Sequence, residues 1–591
     1  MGMADRPNIL FLTVDALRAD RTTLHGYGRP TTPNLERLAA TAWVCDNAVS
    51  TAAFTQPAFH SFLTSSRPLS YGGYDTGVFN RPKTLFKAMN EGGYETHSLS
   101  TFQWVSELFG YDDGIDHLSY LFVFNALNGT GSAILRNHLE RLRDGVIDID
   151  QFLEVAGAFL PRLFDALESY CDKRQATEEI DRADFANSRF VFDGYDIPAI
   201  KRLVMRHRRD FERDRKAYVE RHFNGPFQAH EYLAAEWRLL RTRKKLAGEA
   251  VRFAANKFRA LVNPGRAQLY DMRFKRYVDG GELANRIIQT MERRDSDRPF
   301  FLWTHFIDTH IPYCAGRGLR WYEETPDYLE SLGYDRGLDV SLTVKSRPEN
   351  EGEMATWSAL YDASVLYVDR QIGRIVDALD RLGLRDNTLL VICGDHGEEL
   401  GEHGDISHHY RCYTHNLKIP LVFHNPGLEK RRIESLVSLL DIAPTIADMA
   451  GVGADPRWEG LPVDSPVVAE RSHVILEIIH GGSCHIEQRP IYLSVRNKRF
   501  NYLWKEYRDE TDRHSQDTPE LYDFIADPLE QNNLYRPDHP LVEEFNPLIA
   551  ERLADIPEIS VQRILSAFGA IGQEAVRKIR GGLSQDLGKT A

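Results

Sequence analysis

Two carboxylates and an imidazole, Asp15, Asp395 and His396, stand directly behind short apolar runs in a chain of 591 residues. Together they form a partial shell for a divalent cation of the magnesium, calcium, manganese or zinc type, because carboxylate oxygens with one imidazole nitrogen suit each of these ions. A fourth ligand is missing from the trio. The segment STAAFTQPAFHSFLTS offers one in Thr55, which is followed by Gln56-Pro57 and then by a helical pattern. A hydroxyl at or just before a helix N-terminus meets both the metal charge and the positive end of the helix dipole, and both favour an alkoxide and an anion. That combination suits a nucleophile attacking phosphorus or sulfur.

The runs that carry these residues read as buried strands. NILFLTV at residues 8–14 ends in Asp15, PFFLWTHF at 299–306 ends near Asp308 and His310, and TLLVIC at 388–393 runs into Gly394-Asp395-His396-Gly397. Short, almost wholly apolar runs rich in β-branched and aromatic residues fit a mostly parallel sheet covered on both faces. Ligands bind at the C-terminal edge of such sheets, where these polar residues fall. Residues 361–382 place Val365, Val368, Ile372, Ile375, Val376 and Leu379 on one helical face and lead into the third run, a helix-then-strand crossover.

The expected fold class is therefore α/β, a mixed sheet flanked by helices. Residues 1–117 and 295–455 are read as two parts of the core, and 118–294 as a mostly helical basic insertion. Residues 456–538 are read as a small antiparallel-sheet subdomain, from the alternating segments HVILEII, PIYLSVRN and RFNYLWK, and 539–591 as a helical tail.

Composition excludes several classes. With 42% hydrophobic residues, including 30 Phe, 25 Tyr and 8 Trp, the chain has ample apolar area for a core and is not mainly disordered. Six cysteines without a CxxC pair give no disulfide framework or zinc knot. No apolar run approaches the roughly 18 residues of a membrane span, and no basic segment precedes the first strand, so the expected location is cytoplasmic. The net charge of −14 argues against a nucleic-acid binder. Residues 201–276 nevertheless carry 21 Lys plus Arg against 8 Asp plus Glu, a net of +13 that leaves −27 on the remainder. These bases pair with acids at i,i+4, line the approach of an anionic substrate, or rest on an anionic membrane surface. No base-reading motif accompanies them, and oligomeric state is left open.

Seven motifs in order give the chain a resemblance to the sulfatase family of the alkaline phosphatase superfamily. NILFLTVDALRADR with TTPNLERLA resembles the opening strand, metal aspartate and following helix, FTQPAFHSFLTS the nucleophile segment, and FFLWTHFIDTHIPY the middle histidine motif. LLVICGDHGEELGEHGDISHH resembles the second metal motif, and KIPLVFHNPG, VSLLDIAPTIADMAGV and ELYDFIADPLEQNNL the later landmarks. The resemblance implies an alkaline-phosphatase-like fold and one divalent metal ion (Mn, Zn, Ca or Mg) held by Asp15, Thr55, Asp395 and His396. It makes Thr55 the nucleophile, and it places His310 and His408 on the ester oxygens and leaving group, one of them as general acid. His305, His403 and His409 compete for those roles.

Two departures matter. The family's C/S-x-P-x-R signature, whose first residue becomes formylglycine, reads Thr55-Gln56-Pro57-Ala58-Phe59 here, so no formylglycine is expected. Ala16 stands where many relatives have a second metal aspartate, so a second ion would need Asp308 or His310. The expected activity is cleavage or transfer of an anionic phosphoester on a lipid, glycan or small molecule. The alternatives are a sulfuric ester hydrolase and a non-catalytic anion binder on the same fold.

Overall fold

The structure, a computed structural model, describes residues 6–184, 196–223, 278–294, 297–313, 321–340, 348–408, 411–479, 490–505 and 519–581, with a few single positions between them. Ten of its strands precede residue 439: β1 Asn8–Val14, β2 Ala42–Val49, β3 Glu95–Ser100, β4 His117–Tyr120, β5 Phe300–Phe306, β6 Thr388–Gly394, β7 Glu399–Leu400, β8 Ile406–Ser407, β9 Leu421–His424 and β10 Arg431–Ser438. Eight of them form the main sheet in the order β10-β2-β9-β6-β1-β5-β3-β4, with β7 and β8 pairing as a separate small ribbon. Every pairing in the main sheet is parallel except those of β9, which runs against both β6 and β2.

β1 is buried along its whole length because both faces of the sheet are covered. Its side chains alternate between two apolar layers, Ile9 and Phe11 on one side, Leu10, Leu12 and Val14 on the other. The first layer includes Phe59 and Phe62 of the Thr55–Thr64 helix, and the second includes the apolar face of the 31-residue Glu351–Arg381 helix. That helix covers the predicted 361–382 pattern up to Arg381, with Leu382 as its C-cap, and begins ten residues earlier.

The expected small antiparallel sheet is present as β11 Val474–Ile479, β12 Ile491–Arg496, β13 Phe500–Lys505 and β14 Glu520–Asp523, in sequential order. Helices Pro540–Ala554 and Val561–Arg580 follow it. Leu118, read from sequence as the start of the insertion, lies in β4, which pairs with β3 at the sheet edge. Beyond it the described residues of the insertion are helical, including Phe124–Arg143, Ile149–Ala176 and Ile197–Arg213. Some of its bases pair across helices, Arg208 with Asp165 at 2.6 Å and Glu168 at 2.7 Å and Lys201 with Asp172, while Arg136 pairs with Glu140 at i,i+4. The second basic stretch, residues 231–261, lies outside the described residues apart from single positions. Among the described residues no helix is long and apolar enough to cross a membrane.

One pairing in this frame makes stability depend on pH. His424 of β9 is 1% exposed, donates from Nδ1 to the Leu38 carbonyl at 3.1 Å and accepts at Nε2 from the Arg385 guanidinium at 2.9 Å. Burial and the Arg385 charge push it down from 6.5 to about 4. The unfolded chain therefore takes up a proton on this residue before the folded chain does, so the stabilisation is complete above pH 6.5 and is lost as pH falls towards 4. Urea midpoints should fall between pH 7 and 5, with His424 contributing about 2 kcal/mol of the loss. An unchanged pH slope in His424→Gln would contradict this assignment.

Candidate active site

Sheet register brings the two aspartates together. Val14 is aligned with Gly394 and with Phe306 in the flanking strands, so the residues just beyond, Asp15 and Asp395, emerge side by side at the C-terminal edge. The Asp15 amide donates to the Phe306 carbonyl at 2.8 Å and the Asp395 amide to the Val14 carbonyl at 3.2 Å, which extends both ladders by one step. Ala16 then turns the chain sharply with φ +52°, a left-handed conformation that is uncommon for a residue with a Cβ. Its amide donates to Asp395 Oδ1 at 2.9 Å, and its carbonyl accepts from the Tyr361 hydroxyl at 2.7 Å, so both of its polar groups are fixed.

Asp15, Asp395 and His396 present ligand atoms that all lie within 4.8 Å of one another, and all three residues are fully buried. His396 donates from Nδ1 to the Gly397 carbonyl at 2.7 Å, which turns Nε2 inward, 3.4 Å from Asp15 Oδ1 and 3.5 Å from Asp395 Oδ2. Thr55 Oγ1 lies 3.2 Å from the same Nε2. The residue capping the Thr55–Thr64 helix is Phe54, and Thr55 is the first helical residue with no capping bond from its side chain. Its hydroxyl is thus left to the cluster rather than spent on the helix end.

The donor set fits a divalent cation. Both oxygens of Asp15 and Oδ2 of Asp395 are buried without a hydrogen-bond partner, a costly arrangement unless a positive charge sits between them. Burial alone would raise Asp15, but the His310 charge and the neighbouring imidazoles of His305 and His396 outweigh it and hold this carboxyl well below the usual range. Burial, reinforced by Asp15, pushes Asp395 up. Burial would lower His396, yet the Asp395 and Asp15 carboxylates push it up to about 9, so the pair holds a proton that a cation would displace.

His310 and His408 meet beside this cluster. Their rings are 4.9 Å apart and T-shaped, and the His408 ring lies 4.2 Å from that of His396. His408 Nδ1 is 3.3 Å from Glu398 Oε1. Glu398 is fully buried, and that burial raises its carboxyl well above the ordinary value. Of the competing histidines, His403 stacks on Tyr413 at 3.6 Å, and His409 lies outside the described residues.

His305 is nearer the centre than the sequence reading placed it. Thr13 donates to the Thr304 carbonyl at 3.2 Å and so accepts from His305 Nδ1 at 2.9 Å. The imidazole Nε2 therefore faces Asp15 Oδ2 at 3.5 Å and Asp395 Oδ2 at 3.8 Å. Phe59, standing where the family signature has arginine, packs edge-on against the His305 ring with centroids 4.9 Å apart. Asp308 points elsewhere, since a Cβ added at Gly280 would meet its Oδ2 at 2.8 Å. The metal-ligand grouping comprises Asp15, Asp395 and His396 and does not include Asp308.

A parallel-rich α/β sheet with a buried carboxylate-imidazole cluster and a helix-start hydroxyl at its C-terminal edge defines a metal-dependent ester-cleaving class of enzyme. Comparison makes the assignment narrower. The chain matches the Sulfatase family over residues 7–126 and 239–452, more than half its length, and it belongs to that family. Arylsulfatase of Clostridium perfringens is 22% identical over 548 residues, 90% of each chain. N-acetylglucosamine-6-O-sulfatase of Bacteroides thetaiotaomicron is 23% identical over 541 residues, 90% of this chain and 83% of that one. Among solved structures, a complex with the substrate D-glucosamine-2-N,6-O-disulfate superposes with a TM-score of 0.52 at 16% identity, covering 96% of this chain and 99% of the other. Phosphonate monoester hydrolase of Agrobacterium radiobacter gives 0.50 at 16% identity, covering 93% and 95%. These likenesses show the fold. The relatives and structural neighbours are hydrolases of sulfuric or phosphonate esters, and the chain is an ester hydrolase. Of the two ester chemistries considered from sequence, the relatives favour the sulfuric ester over the phosphoester placed first.

Proposed function

We propose that this enzyme hydrolyses an anionic sulfuric ester, with Thr55 as nucleophile and one divalent cation held by Asp15, Thr55, Asp395 and His396. The supporting observation is the set of buried, unpartnered carboxylate oxygens beside the Thr55 hydroxyl, in a chain whose full-length relatives are sulfatases. A bound cation would supply Lewis acidity to the ester oxygens and favour the Thr55 alkoxide. Thr55 Oγ forms a bond to sulfur while the bond to the leaving alcohol breaks, and that alcohol takes a proton from His310 or His408. Water then attacks sulfur and returns a proton to that imidazole, the bond to the Thr55 alkoxide breaks, and sulfate leaves. Glu398 positions His408 from behind, as an outer partner orients an imidazole.

A second reading keeps the same atoms with phosphorus in place of sulfur. It is favoured by Thr55 and Phe59 standing in place of the formylglycine precursor and arginine, and it includes transfer to an acceptor hydroxyl in place of water. The discriminating experiment compares aryl sulfate, aryl phosphate monoester, phosphate diester and phosphonate monoester with metal-reconstituted protein. Dominant sulfate turnover is expected. Dominant phosphoester turnover would establish the second reading, and no turnover despite bound metal would overturn hydrolysis of either ester in favour of transfer to an acceptor absent from the assay or of anion binding.

A further inference from the structure

A second group of metal-ligand side chains lies at the other end of the sheet. Glu95 opens β3, His97 follows two residues later on the same face, and His117 opens β4. The parallel register pairs His97 directly with His117. Their ring centroids are 4.4 Å apart and nearly parallel, 18° between planes. Glu95 Oε1 is 3.0 Å from His117 Nε2 and 3.5 Å from His97 Nε2. One ligand atom from each of the three residues falls within a common 4.8 Å.

The environment distinguishes this group from an ordinary surface ion pair. His97 is 6% exposed, and its Nε2, aimed at Glu95 and His117, has no hydrogen-bond partner. A buried imidazole nitrogen left so is costly unless something binds it. His117 is more than half exposed, so its ring can rotate from stacking to convergence and the site has an entry path. Nearby charges balance: Arg294 contacts Glu95 Oε2 at 3.1 Å, while Arg298 contacts Asp116 Oδ2 at 3.3 Å. This leaves Glu95 Oε1 as the oxygen facing both histidines.

We propose that Glu95, His97 and His117 bind a transition-metal ion of the zinc type, separate from the active site. Two imidazoles and one carboxylate match zinc's preferred donors, with water as a fourth ligand, whereas magnesium and calcium prefer all-oxygen shells. The group sits at the N-terminal ends of parallel strands whose C-terminal edge holds Asp15 and Asp395, a strand length or roughly 20 Å away. Its effect is structural: it ties the edge strand β4, which leads into the insertion, to β3.

The test uses full-length protein carrying Asp395→Asn, which disables the active-site cluster, titrated with zinc alone. Calorimetry should show about one zinc equivalent per chain, and cobalt substitution should give the visible bands of a tetrahedral site. Adding His117→Ala should weaken this binding by more than the roughly 10–100-fold that even an outer partner is worth, and should abolish the zinc-dependent rise in Tm. Glu95→Gln should weaken it too. Zinc binding and a Tm rise unchanged by His117→Ala would overturn the proposal, as would no binding in the Asp395→Asn protein. Neither outcome depends on ester hydrolysis, so the active-site reading stands or falls separately.

Discussion

Thr55→Ala is expected to abolish turnover of the preferred ester, lowering kcat by about 10³-fold or more, while Thr55→Ser retains measurable activity. Removing a nucleophile takes away the covalent route and leaves only binding and electrostatics, a loss that reaches about 10⁶-fold in well-studied hydrolases. The fold should barely notice. Phe54, not Thr55, occupies the helix cap position, and the Thr55 hydroxyl contacts His396 Nε2 at 3.2 Å. Circular dichroism and Tm of Thr55→Ala should therefore match the parent protein, and the carboxylates and imidazole should still take up metal. Near-parental kcat in Thr55→Ala would remove Thr55 from the reaction whatever the substrate.

Asp395→Asn should have the second large effect, with opposite signs on activity and on metal-free stability. The amide oxygen of Asn can still accept from the Ala16 and His396 amides, which Asp395 Oδ1 now receives at 2.9 Å and 2.8 Å. What disappears is the charge on a buried oxygen that accepts no hydrogen bond and shares the His396 imidazole with the second carboxylate, Asp15. In chelated protein the substitution should therefore raise stability, by about 1–3 kcal/mol, because an uncompensated buried charge is gone. In metal-loaded protein the order should reverse, since binding to the native state stabilises the parent alone. Activity should fall by about 10³-fold or more. Thermal unfolding of both proteins with and without chelator checks the reversal. A variant less stable than the parent in chelator would show that Oδ2 has a structural partner.

Much of this site was legible because strand and chemistry coincide. β1 and β6 announce themselves as apolar runs, and each stops at the aspartate it delivers. Thr55 was legible through the proline-containing helix start that follows it. His305 was harder, because a histidine inside an apolar strand reads as a packed residue. Only the tertiary hydrogen bond to Thr13 reveals which nitrogen faces the aspartates. Glu398 lay inside a quoted motif, yet its partnership with His408 depends on how the nine intervening residues fold back. The antiparallel β9 and the cross-strand pair His97 with His117 depend on non-local register, which periodicity along one segment does not encode.

The peptide unit between Asp15 and Ala16 acts as a fixed spacer. Asp15 carries one carboxylate, the next amide grips the other, and Tyr361 clamps the following carbonyl from a helix of 31 residues. The two acids are therefore held beside one another by sheet register and by the Ala16 amide's hydrogen bond to Asp395. If the proposed cation binds there, one whose bond lengths match would settle without distortion, and a larger or smaller one would have to bend a backbone already turned to positive φ. On the proposed metal reading, Ala16 would act as a gauge of ionic size although it contributes no side-chain ligand of its own.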